Sequence, residues 1–165
     1  MPNKNLPKPA LYPRPTRAAC SPHSLTRDRC AASIRKVCAE CAGIEFILQC
    51  NAQTRSLWER VCGEAAGAAA PPPNLALLYD ESMGLGLPCS TWRAPHAGVA
   101  CGYAGGLSPE NIKEQLCSIG AAAAGRSLWV DMESSLRTKT ADGKDVFDVN
   151  KAVACVRAVR EMGLL

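Results

Sequence analysis

The chain has 165 residues, with 47% in the hydrophobic class, 21% charged and a formal net charge of +4. That is long enough for one domain with a real core. No run approaches the roughly 18 consecutive apolar residues of a membrane span, so no membrane partner is expected. The charge is uneven: residues 1–36 carry eight basic side chains against Asp28 alone, a net of +7, which leaves −3 for the remainder. Residues 1–29, proline-rich and without a clear period, are expected to form an irregular basic arm. A nucleic-acid role for the arm is the weaker alternative. The lack of an apolar leader-like segment points to the cytoplasm, with organelle import as the other option for a basic arm poor in acids.

From about residue 30 a regular alternation predicts a β/α domain over 30–165. Residues 31–42 read as a helix and 44–50, rich in β-formers, as a strand. Residues 54–66 place Leu57, Trp58, Val61, Cys62 and Ala65 at helical spacing. Ala65 to Ala70, closed by Pro71, Pro72 and Pro73, has the composition of a linker. Residues 74–80 form a second apolar strand ending in Asp80, and Gly84, Gly86 and Pro88 open a loop after it. A third strand is expected over 97–103. Ser108, Pro109 and Glu110 are a helix-start signal, and that helix should run to Ile119 and stop at Gly120. A fourth strand covers 128–132. Asp148 should cap a last helix with Val149, Ala152, Val153, Val156 and Val159 on one stripe and Lys151, Arg157 and Arg160 facing away from it. Strands alternating with helices imply a parallel sheet with right-handed crossovers.

Ten cysteines without a leader argue against a disulfide framework. Cys20 with His23, and Cys38 with Cys41, form C-x2-H and C-x2-C pairs separated by 14 residues, a weak zinc-site signal. The alternative is that Cys38 and Cys41 share one helix face with Ile34.

In parallel β/α folds the chemistry sits at the carboxyl edge of the strands. After the third strand, Gly105 and Gly106 permit close backbone approach to a ligand, and a helix start beyond Ser108 suits a phosphate. Asp80 is a candidate general acid, or merely an acid that orients its loop. After the fourth strand, Ser134, Ser135 and Arg137 are candidates for binding an anionic group.

The stretch Ala104-Gly-Gly-Leu-Ser-Pro-Glu-Asn-Ile112 resembles the seventh strand-to-helix turn of phosphoribosylanthranilate isomerase. Asp80 with Gly84, Gly86 and Trp92 is similar to that family's sixth strand and loop, and Trp129 to Arg137 to its eighth strand and serine-rich turn. The order of these segments agrees over residues 74–165, and 44–66 is compatible with a fifth unit. The resemblance implies a partial (β/α)8 TIM-type barrel of about four parallel strands with covering helices. It implies a cofactor-free Amadori rearrangement of a phosphorylated sugar derivative, with Asp80 as the acid and Gly105, Gly106 and Ser134 around the phosphate. The sequence departs from the family in its glycine loop after Asp80. It has Ser135 where the family has glycine and Arg137 where glutamate is common. Nothing corresponds to the first four units, which include the strand carrying the cysteine base; Cys50 is a poor substitute because it ends the fifth-like strand. A phosphate-binding protein without the chemistry, and a zinc-binding interaction module, are the alternatives. An incomplete barrel leaves open strand edges, so a homo-oligomer or a second half-barrel is the expected partner.

Overall fold

A computed structural model describes residues 22–63, 69–80, 82 and 91–164, without the side chains of 22–25. Cys20, most of the 65–70 linker, and the Gly84–Gly86–Pro88 loop lie outside the described residues. The elements in chain order are α1 (Pro22–Glu40), β1 (Phe46–Cys50), α2 (Arg55–Cys62), β2 (Leu75–Asp80), β3 (Ala100–Ala104), α3 (Ile112–Ala123), β4 (Leu128–Val130), β5 (Arg137–Lys139), β6 (Asp145–Phe147) and α4 (Val149–Glu161). β1 to β4 form one sheet in the order β1-β2-β3-β4, and every pairing is parallel. The expected four-stranded parallel sheet with covering helices is therefore present.

Strand alternation divides the sheet into two faces. Leu75, Leu77, Tyr79, Cys101 and Tyr103 face the helices and join one core with Trp58, Val61, Ile112, Leu116 and Ile119. All four helices contribute to it, through Cys38 of α1 and Ala158 of α4 among others. Ile47, Gln49, Leu78, Asp80 and Ala104 alternate onto the opposite face. Gly102 lies there too, and only a glycine fits. A Cβ at that position would stand 2.1 Å from the Trp129 indole, which lies across it from the neighbouring strand.

Aromatic rings run along the helix-facing side. Trp58 meets Tyr79 edge-on at 6.2 Å, Tyr79 meets Tyr103 at 5.6 Å, and Tyr103 meets Trp92 edge-on at 5.7 Å. The Tyr103 hydroxyl donates to the Arg93 carbonyl at 2.7 Å, and Trp92 Nε1 donates to Gln115 Oε1 at 3.0 Å. The segment after the glycine loop is thereby fixed to β3 and α3. Burial pushes the Tyr103 phenol up to about 12, so it remains a neutral donor.

Three expectations need correction, and one element goes beyond them. α1 begins at Pro22, so residues 22–29 continue the helix and do not belong to an irregular arm. Pro22 sits at the first helical position, where a missing N–H costs nothing. α3 starts at Ile112 and passes through Gly120 to Ala123. Its end is set by Ala124 and Gly125, both with positive φ. Residues 137–147 hold an antiparallel hairpin, β5–β6, turned at Gly143, whose φ is +81°. Lastly, α4 buries Cys155 and Ala158, and leaves Val149, Val153 and Val156 exposed. Small side chains let the helix lie close, with Cys155 Sγ 3.5 Å from Met132 Sδ. Val149, Val153 and Val156 thus face outward, Val159 packs partly against the core, and Lys151, expected to face away, is half-buried and donates to the Arg137 carbonyl at 2.7 Å.

Candidate site at the carboxyl rim of the sheet

β1 ends in Cys50-Asn51, and the Asn51 carboxamide accepts from the Gln53 and Thr54 amides at 2.9 and 3.1 Å. This turn starts α2 and leaves Gln49 on the open face of the sheet. Gln49 Nε2 donates to Asp80 Oδ2 at 2.8 Å. The other carboxylate oxygen of Asp80 accepts from the Ser82 hydroxyl at 2.6 Å and the Ser82 amide at 3.1 Å. Donors on both oxygens hold this buried carboxylate in one orientation.

Ala104 pairs with Asp80 in register, so the turn after β3 begins beside the acid. Gly105 and Gly106 have φ of +104° and +65°, a left-handed course that side-chain-bearing residues rarely adopt. A Cβ on Gly105 would lie 3.2 Å from both Asp80 Oδ1 and Ser82 Cβ. Glycine is thus required twice over, by conformation and by proximity to the acid. Both glycines are half-buried and on the rim that carries Asp80.

The rest of the turn is closed by Asn111. Its Oδ1 accepts from the Ser108 amide at 2.8 Å and its Nδ2 donates to the Gly106 carbonyl at 2.8 Å. Residues 109–111 form a turn before α3, and Ser108 Oγ accepts from the Glu110 amide at 3.3 Å. A hydrogen bond from the Ser108 side chain to the Glu110 carboxyl, helped by the Glu110 backbone amide, holds that carboxyl below its ordinary range. The serine cap read from sequence is therefore real but sits one turn ahead of the regular helix.

Ser134 and Ser135 lie in a single 3-10 turn, Ser134–Leu136. The Ser135 hydroxyl donates to the Leu107 carbonyl, which joins the turn after β4 to the turn after β3. Ser134 is exposed. Arg137 is engaged elsewhere: its Nε pairs with Asp145 Oδ1 at 3.0 Å and its terminal nitrogen donates to the Asp145 carbonyl at 2.9 Å, across the hairpin. Asp80, Gly105, Gly106 and Ser135 form one connected rim, while Arg137 braces β5 to β6.

Gln49, Ser82 and Asn111 were not singled out from sequence. The position of Gln49 two residues before Asn51, at the carboxyl end of a strand, is the only signal that could have marked it.

Cys50 turns to the helix side, where it is 1% exposed and its thiol contacts the Leu48 carbonyl at 3.4 Å. Cys38 is 1% exposed in the core and burial raises its thiol pKa, whereas Cys41 is half-buried. Cys20 and the His23 side chain lie outside the described residues. Among the described residues no three His, Cys, Asp or Glu side chains gather as a metal-binding group. No described helix is long and apolar enough to cross a membrane.

No family model, curated protein or solved structure matches this chain.

Proposed function

We propose that the chain is a phosphoribosylanthranilate isomerase-like half-barrel that holds a phosphorylated sugar derivative at this rim. The observation that carries the reading is the close approach of Gly105 to the oriented Asp80 carboxyl group, so close that an added Cβ would lie 3.2 Å from Asp80 Oδ1. A strained double glycine places backbone amides at the mouth of a parallel sheet, where a phosphoryl group is held without side-chain charge. Ser135 draws the turn after β4 to the same point, so two successive strand ends serve one ligand. In an Amadori rearrangement the Asp80 carboxyl group, when protonated, delivers a proton to the sugar ring oxygen. The base that receives the carbon-bound proton comes, in the family this chain resembles, from an earlier strand that has no counterpart among the described residues.

A second reading is favoured by the Asp80 contacts themselves. Gln49 and Ser82 occupy both carboxylate oxygens, which suits an acid that fixes its loop in a protein that binds phosphate esters without transforming them. Titration calorimetry with ribose 5-phosphate, paired with an assay on phosphoribosylanthranilate, separates the two. Binding with turnover that is lost in Asp80→Asn, at unchanged ligand affinity, supports the isomerase. Binding without turnover supports the second reading. Absence of phosphate-ester binding, or binding unchanged by Gly105→Ala, defeats both.

A further inference from the structure

The large hydrophobic side chains that the described residues leave exposed are not spread evenly. Val37, Ile44 and Ile47 lie on α1, in the turn after it and on β1, at one end of the sheet. Val146, Phe147, Val149, Val153, Val156 and Leu164 lie on β6, α4 and the residues beyond, after β4 at the other end. None lies on α2, β2, β3 or α3, which form the middle. The β4 end also carries a groove of about 820 Å3 between α3 and α4, floored by Leu128 and Val130 and walled by Leu116, Cys155 and Val156. Ile47 is 58% exposed and Val156 57%, values that mark surface awaiting cover. Among the described residues, β1 and β4 are each paired on one side only.

We infer that two copies of this chain associate end to end, the β1 end of each against the β4 end of the other, closing eight parallel strands. The occupant follows from the edges. A parallel edge is satisfied by a strand running the same way, with its own opposite side free. β4 of a second copy meets that requirement for β1, and a twofold axis then satisfies β4 of the first copy with β1 of the second. Among the described strands no edge then remains open, and the four of each copy give the eight-stranded closure whose interior side chains fill. Trp129 over Gly102 already projects filling onto that face.

Charge sets the direction. Glu45 is exposed immediately before β1, and Arg126 is exposed two residues before β4. Parallel alignment puts both at the amino ends of the paired strands, so they meet across each junction. The Arg126 guanidinium donates to the carbonyl oxygens of Pro95, His96 and Val99, neutral partners that keep it in place with its charge available. The flanking helices each carry an excess of two basic residues over acidic ones, so apolar cover and strand pairing supply the association and this pair aligns it. Closure also surrounds the Asp80 rim with the strand ends of the second copy.

Sedimentation velocity on the purified full chain, across micromolar concentrations, tests the inference. The expected species has twice the 17.5 kDa chain mass. Ile47→Lys and Val156→Asp change exposed side chains, so far-UV dichroism should be unaltered, while each raises the dissociation constant about tenfold or more. Mixing the two variants is decisive. A mixed pair keeps one unmodified junction and should regain dimer that neither variant forms alone. A monomer at every concentration, an open-ended larger assembly, a dimer indifferent to both variants, or a mixture that stays monomeric overturns the inference. The inference rests on the sheet and its exposed ends: a dimer that binds no phosphate ester would uphold it and sink only the ligand reading.

Discussion

One carboxamide, Nδ2 of Asn74, donates to the carbonyl oxygens of Cys38, Cys41 and Ile44 at 3.0, 3.2 and 2.8 Å. These are carbonyls at the end of α1 and the turn beyond it, a place where helix geometry leaves acceptors without partners. Asn74 immediately precedes β2, so one side chain ties the helix exit to the start of a central strand. Asn74→Ala should lower stability by about 1–3 kcal/mol, read as a fall in the denaturant midpoint with an unchanged slope. At Gly102 the constraint is steric. Gly102→Ala drives a methyl group into the Trp129 indole and should cost about 1–3 kcal/mol, with a shift in tryptophan emission as the ring is displaced. At this scale the sequence was informative about Asp80 and the paired glycines, because a carboxylate and a positive-φ turn at strand ends have distinctive residue types. It was silent on Gln49 and Asn111, whose roles depend on which loops the fold brings together. It gave no sign that the Arg137 guanidinium meets an aspartate eight residues on.

Strands β1 to β3 were legible because each is a short run of five to six residues dominated by apolar side chains, although β1 leaves Ile47 and Gln49 exposed on the open face. The β5–β6 hairpin was not, since its strands are three residues each and rich in charge; Asp142-Gly143 is the one turn signal it offers. α4 shows how periodicity can name the wrong face. Its valines repeat at helical spacing, yet Cys155 and Ala158 dock, because close approach to Met132 and the core favours small side chains. The start of α4 is set by Asp148, whose Oδ1 accepts from the Asn150 and Lys151 amides at 3.0 and 3.3 Å and whose Oδ2 accepts from the Thr138 hydroxyl at 2.7 Å. The Thr138 contact, with the amides, holds its carboxyl below the ordinary range. A carboxyl depressed on folding stabilises above its unfolded pKa of about 3.9 and loses that contribution as pH falls through the folded value. Far-UV dichroism should therefore show α4 fraying on acidification below about pH 4. Asp148→Asn, which caps without titrating, should flatten that step.

For the whole molecule, cysteine accessibility gives a direct reading of the packing. Cys38, Cys50, Cys62, Cys101 and Cys155 are buried, while Cys30 and Cys117 are exposed. Burial also raises the Cys38, Cys101 and Cys155 thiols above their ordinary pKa, which lowers their thiolate content further. Among the cysteines of the described residues, brief alkylation of the native chain followed by peptide mass mapping should label Cys30 and Cys117 first, with the five buried thiols modified only after denaturation. Early labelling of Cys50 or Cys101 would mean that β1 or β3 is not packed against the helices as described.

The strand order carries a consequence for how the chain comes together in time. Each strand pairs with its nearest neighbour in sequence, and paired positions such as Phe46 with Leu75, Ala76 with Ala100, and Cys101 with Leu128 are 24 to 29 residues apart. No strand waits for a distant one before it finds its partner. A polypeptide emerging amino end first from the ribosome would lay β2 onto β1, then β3 onto β2, each addition closing a loop of similar and modest entropy. The growing sheet keeps one fresh edge throughout synthesis, and the hairpin with α4 arrives last.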